Sequence, residues 1–85
     1  MQDIIVHPHA LKHGLSVEAI KAAWENFVRR RPRGEDCWVT IGYDCEGREV
    51  ELVGLSLADG STLIIHALSP ATKKMKRELG LERGR

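Results

Sequence analysis

The chain has 85 residues, 42% of them apolar and 29% charged, with a formal net charge of +1. That length describes one domain, and the composition is that of a globular protein, which excludes a disordered polymer. No stretch approaches the ~20 consecutive apolar residues of a membrane span, and residues 1–6 carry no basic segment leading into a long apolar core.

A cytoplasmic location without membrane contact is therefore expected, with Cys37 and Cys45 as reduced thiols, since neither has a CxxC neighbour. Residues 1–85 are expected to form one domain, with 1–6 and 81–85 poorly ordered.

Pro8 suits the first position of a helix, where its missing N–H costs nothing, and Gly14 suits the stop. A short helix is predicted over 8–13. Ser16 is the cap candidate of a second helix, with Glu18 in its first turn. Val17, Ile20, Trp24, Phe27 and Val28 then fall at helical spacing on one face. This helix is predicted to run to about Arg30 and to end before Pro32.

Cys37 to Tyr43 reads as a strand, and Asp44 to Gly47 as its turn. A second strand follows over about 48–57. Asp59-Gly60 signals a tight hairpin with both central residues at positive φ. Ser61 to Leu68 makes the third strand. Ser69-Pro70 repeats the cap-plus-proline start of a helix, here running from Thr72 to Leu79 with Gly80 as its stop. The expected fold is α+β: two N-terminal helices, a three-stranded antiparallel meander and a basic C-terminal helix, in the order α-α-β-β-β-α, with the helices on one face of the sheet.

Charge is unevenly distributed. Arg29, Arg30, Arg31 and Arg33 cluster in 29–33. Lys73, Lys74, Lys76, Arg77, Arg83 and Arg85 outnumber Glu78 and Glu82 after residue 69. Between them lies the acidic segment holding Asp44, Glu46, Glu49, Glu51 and Asp59. Two basic clusters suit a polyanion, whereas Glu18 and Glu25 on the second helix disfavour DNA docking there.

His9 and His13 stand one helical turn apart, but no Cys or acidic partner completes a zinc site, so no metal or other cofactor is expected. His66, near the end of the third strand, is a general acid–base candidate. Strand alternation sets it with Thr62, Ile64 and Leu68 on one face. RNA cleavage without metal needs a base for the ribose 2′-OH, cations on the phosphate and an acid for the leaving oxygen. His66, Lys12, His13 and Tyr43 are the catalytic candidates. Arg29, Arg30, Arg31, Lys73, Lys74 and Arg77 are the RNA-binding candidates.

Three segments carry a family resemblance. Lys12-His13-Gly14-Leu15-Ser16 followed by Val17-Glu18-Ala19-Ile20 resembles the opening of BrnT-type toxins. Val39-Thr40-Ile41-Gly42-Tyr43-Asp44 with Gly47-Arg48 resembles that family's first hairpin. Ile64-Ile65-His66-Ala67 with Ala71-Thr72-Lys73-Lys74 resembles its close, although an arginine usual there is absent. The resemblance spans about residues 9–79. It implies a RelE-like fold, endoribonuclease activity, an RNA substrate and a cognate antitoxin protein, in a homodimer or a hetero-oligomer with that antitoxin. The alternative is a non-catalytic interaction module or degraded toxin of the same kind.

Overall fold

The computed structural model describes residues 3–81. In chain order it contains β1 (Ile4–Val6), a 3-10 turn (Pro8–Leu11), α1 (Val17–Glu25), β2 (Phe27–Pro32), β3 (Cys37–Tyr43), β4 (Glu49–Ser56), β5 (Thr62–Leu68) and α2 (Lys73–Glu78). The five strands form one sheet in the order β1-β5-β4-β3-β2. β1 runs parallel to β5, and every other pairing is antiparallel.

The three-stranded meander with three helices is therefore corrected to a five-stranded mixed sheet with two α-helices. The central meander, β3 to β5, stands where expected. One added strand comes from the N-terminus: Ile4–Val6 lies alongside Thr62–Ile64, and the His7 N–H extends the ladder to the Ile64 carbonyl at 2.9 Å. The other comes from the predicted second helix. Ser16 does cap that helix, accepting from the Ala19 N–H at 3.1 Å, but the helix ends at Glu25. Phe27 and Val28, assigned by spacing to its buried face, instead open an edge strand and are 48% and 50% exposed.

Arginine explains why 27–32 is extended. Along a strand alternate side chains reach opposite faces. Arg30 turns toward α1, where its Nη2 donates to the Trp24 carbonyl and its Nε to Thr40. Arg29 turns to the other face and donates to the Leu79 carbonyl at 3.0 Å. That carbonyl sits at the C-terminal end of α2, where unpaired oxygens favour a cation.

The helices cover both faces, not one. On the α1 side, Ala10, Ile20, Ala23 and Trp24 pack on Val50, Leu52, Ile64 and Ala67. On the α2 side, Ala71, Met75 and Leu79 pack on Val39, Ile41 and Val53. Four buried apolar strand residues on the α1 side and three on the α2 side thus leave water, which is the main stabilising term of so small a domain.

Other expectations shift locally. The 8–13 helix shrinks to the 3-10 turn. α2 begins later than Ser69-Pro70 suggests: Thr72 is the cap, accepting from the Met75 N–H, while the Ser69 hydroxyl donates to the Glu49 carbonyl at 2.6 Å. In the β4–β5 loop Gly60 has φ +91°, and Asp59 stays outside the left-handed region while its carboxylate accepts from the Ser61 N–H. Of the segments expected to be poorly ordered, 1–6 and 81–85, the first contributes strand β1 at Ile4–Val6, while residues 1–2 and 82–85 lie outside the described residues.

Candidate active site

A cleft of about 340 Å³ opens between β4, β5 and α2, lined by Arg33, Glu51, His66, Thr72, Lys74 and Glu78 among others. Its central pair is His66 and Glu51. The His66 Nε2 lies 2.8 Å from Glu51 Oε2. The other carboxylate oxygen accepts from the Thr72 N–H at 2.7 Å and the Thr72 hydroxyl at 2.8 Å. Glu51 therefore ties the start of α2 to the middle of the sheet while it orients the imidazole.

A β-bulge sets His66 in this position. Val53 pairs with His66 and Gly54 with Ile64, so Ile65 is an extra residue. Strict alternation would place His66 with Ile64. Instead Ile64 and Ala67 enter the α1-side core, while Ile65 and His66 both line the cleft. Bulges re-aim side chains in this way. The face predicted for His66 is therefore corrected.

Burial by itself pushes the Glu51 carboxyl up. The hydrogen bonds from Thr72 and His66 outweigh that effect and hold it below its ordinary value. The result is a fixed anion against Nε2, which places the proton of the neutral imidazole on Nε2 and the lone pair on Nδ1. No described residue forms a hydrogen bond with that Nδ1. The side chain is 33% exposed, so a solute can reach it.

The His13 ring stands edge-on to the His66 ring, with centroids 5.9 Å apart and planes 77° apart. His13 follows the 3-10 turn, which packs on β5 beyond the short β1. Two of the sequence-predicted catalytic residues are thus brought together. Lys12 is the exposed residue beside His13 and caps the 3-10 turn. Tyr43 is not brought in: it ends β3 opposite Glu49, outside the cleft lining.

Among the cations, Lys74 lines the cleft, while Lys73 and Arg77 are exposed on α2 outside its lining. Arg29 and Arg31 crowd the end of α2, where a Cβ on Gly80 would lie 3.5 and 3.6 Å from their guanidinium nitrogens. Arg30 is half-buried, its guanidinium 3.9 Å from the Trp24 ring centre and 4.0 Å from that of Phe27.

The sequence marks Arg33 and Glu51 only as members of charge clusters and Thr72 only at a helix start, and assigns none of them to a site. The signal for Glu51 was present: a carboxylate inside the apolar run Val50-Leu52-Val53 must be paired if it is buried. Arg33 reaches Glu78 through two bonds, Nε to Oε2 at 2.9 Å and Nη2 to Oε1 at 2.6 Å. The hydrogen bond from Arg33 holds the Glu78 carboxyl below its ordinary value. Among the described residues, no group of three or more His, Cys, Asp or Glu could hold a metal ion, and no helix is long and apolar enough to cross a membrane.

No protein-family model, curated protein or solved structure matches this chain.

Proposed function

We propose that the cleft is the active site of a metal-independent endoribonuclease. The observation that carries this reading is the His13–His66–Glu51 arrangement: two imidazoles in ring contact, one of them oriented by a buried carboxylate and presenting a free Nδ1. His66 Nδ1 takes the proton of a ribose 2′-OH. The 2′-oxygen attacks the adjacent phosphorus, and the bond to the 5′-oxygen breaks. Protonated His13 delivers a proton to that leaving oxygen. The products are a 2′,3′-cyclic phosphate and a free 5′-hydroxyl. Lys74 neutralises charge on the non-bridging oxygens, and Glu51 stabilises the imidazolium formed at His66.

The resemblance of residues 9–79 to BrnT-type toxins extends this proposal to a toxin of a toxin–antitoxin pair, whose partner is an antitoxin protein. The expected signs are growth arrest on expression and rescue by a neighbouring gene product.

The test is purified protein with a single-stranded RNA and with its DNA counterpart. RNA alone is cleaved, to cyclic-phosphate ends, and His66→Ala and His13→Ala each lower the rate by roughly 10²-fold or more. Intact RNA with the well-folded wild-type chain would overturn the reading.

A second reading has its own observation. Glu51 makes two bonds to Thr72 as well as one to His66, so the cluster also fastens α2 to the sheet. In a non-catalytic interaction module His66→Ala lowers the melting temperature and changes no activity, because there is none to change.

A further inference from the structure

The cleft holds a second polar pair besides His66 and Glu51. Arg33 follows the end of β2, and Glu78 is the last residue of α2. Their two parallel hydrogen bonds form the planar fork that a guanidinium makes with a carboxylate or a phosphate alike. Both side chains remain open to solvent, 47% and 34% exposed.

The charges that line the cleft are Arg33 and Lys74 against Glu51 and Glu78. These four charges cancel, so Arg33 and Lys74 offer an entering phosphate no net attraction until one carboxylate gives way. Glu51 cannot, because it is buried and holds three hydrogen bonds. Glu78 is solvated, and among the described residues Arg33 is its one hydrogen-bond donor from a side chain. A solvated ion pair is weak and exchanges readily with a competing anion.

We propose that Arg33 grips the scissile phosphate of the RNA backbone, and that Glu78 occupies its guanidinium fork until that phosphate displaces it. This rests on the cleft being the ribonuclease site. It adds a phosphate-binding residue that lies outside the basic helix, and an internal anion that competes with substrate.

The experiment is a titration with inorganic phosphate, followed by NMR of the Arg33 and His66 side-chain nitrogens. It compares the wild type with Glu78→Gln, Arg33→Gln and the double variant. Glu78→Gln should bind phosphate on the order of fivefold more tightly, by freeing the fork. Arg33→Gln should lose at least about tenfold, the share of a charge-assisted bidentate contact. In the double variant the gain from Glu78→Gln should vanish, since it acts only through Arg33. An unchanged phosphate affinity in Glu78→Gln, or wild-type affinity in Arg33→Gln, overturns the proposal.

RNA cleavage separates this inference from the reading beneath it. Cleavage with an unaltered KM in Arg33→Gln removes Arg33 and leaves the nuclease standing. Phosphate binding that follows the cycle above, with RNA left intact, removes the nuclease and leaves Arg33 as an anion site.

Discussion

Ile65 and His66 are consecutive residues of β5, yet both side chains line the cleft beside α2. Regular alternation would send one of them into the α1-side core. The extra residue at Ile65 keeps Ile64 and Ala67 in that core on either side of the bulge, and frees His66 to meet Glu51. An imidazole that would otherwise enter the α1-side core beside Ile64 is thereby set in the cleft, 33% exposed, with a fixed partner. The bulge also explains how one short strand serves both packing and chemistry. Its apolar residues hold the sheet together, and a single register shift re-aims the one titratable side chain.

Glu51→Gln should abolish the proposed base while keeping the shape of the site. The backbone N–H of Thr72 can only donate, so the Gln carbonyl oxygen must face it. The amide NH2 then faces His66 Nε2, which must become the acceptor. The imidazole proton moves to Nδ1, the nitrogen that has to accept the 2′-OH proton. Cleavage should fall by roughly 10²-fold or more, with substrate affinity little altered. NMR of the His66 ring nitrogens reads the tautomer directly. A variant that keeps Nε2–H and wild-type kcat would refute this role for Glu51.

The same carboxylate gives stability a pH dependence of defined sign. The Glu51 pKa in the fold lies below its ordinary value of 4.5. Its stabilisation is therefore complete above the unfolded-state value and is lost as pH falls through the lower folded-state value. Asp44 and Glu78 are also lowered, but they are present in both wild type and Glu51→Gln, so their contributions cancel. The stability gap between the two proteins, measured by urea unfolding, should shrink as pH falls from about 5 to about 2. A gap that stays constant or widens contradicts the assignment.

Much of the central meander was legible because its strands are β-branched runs separated by turn residues. Asp44 bears this out: it accepts the Glu46 and Arg48 N–H groups while Gly47 takes φ +78°. The strand at 27–32 was not legible. Val17, Ile20, Trp24, Phe27 and Val28 satisfy helical spacing, and the extended alternative is rewarded only by tertiary contacts, the pairing with β3 and the bonds of Arg29 and Arg30. The N-terminal strand was hidden for a similar reason, since three residues acquire their partner 58 positions away, as in Ile4 with Thr62. In the site, His66 and His13 were visible as residue types that can serve as acid or base. Glu51 was hidden by its apolar neighbours, and the bulge by the absence of any glycine or proline in β5.

Arg30→Ala should act on the fold and not on the chemistry. Its guanidinium lies between Trp24 and Phe27 and satisfies the Trp24 carbonyl and the Thr40 hydroxyl. Truncation removes that packing and leaves both acceptors to find water, a loss of about 2 kcal/mol. Arg30→Lys should recover little, because an ammonium cannot make the stacked two-point contact. Chemical denaturation measures the loss, and cleavage per folded molecule should match the wild type. A selective drop in RNA affinity with stability intact would show instead that Arg30 reaches the substrate.

Two glycines should differ sharply on substitution by alanine, and the difference tests how closely α1 lies on the sheet. A Cβ on Gly54 would come 2.6 Å from Cη2 of Trp24, a side chain that can tilt by a few tenths of an ångström. Gly54→Ala should cost about 1–3 kcal/mol, the usual range for overpacking. A Cβ on Gly42 would overlap the carbonyl oxygen of Ala23 and lie 2.9 Å from that of Asn26. Both are backbone atoms at the end of α1, and they cannot move unless the helix leaves β3. Gly42→Ala should therefore cost more than about 3 kcal/mol, beyond what side-chain repacking absorbs. Urea unfolding of the two variants ranks them. Gly42→Ala as mild as Gly54→Ala would mean that α1 and β3 stand further apart than the glycine contact requires.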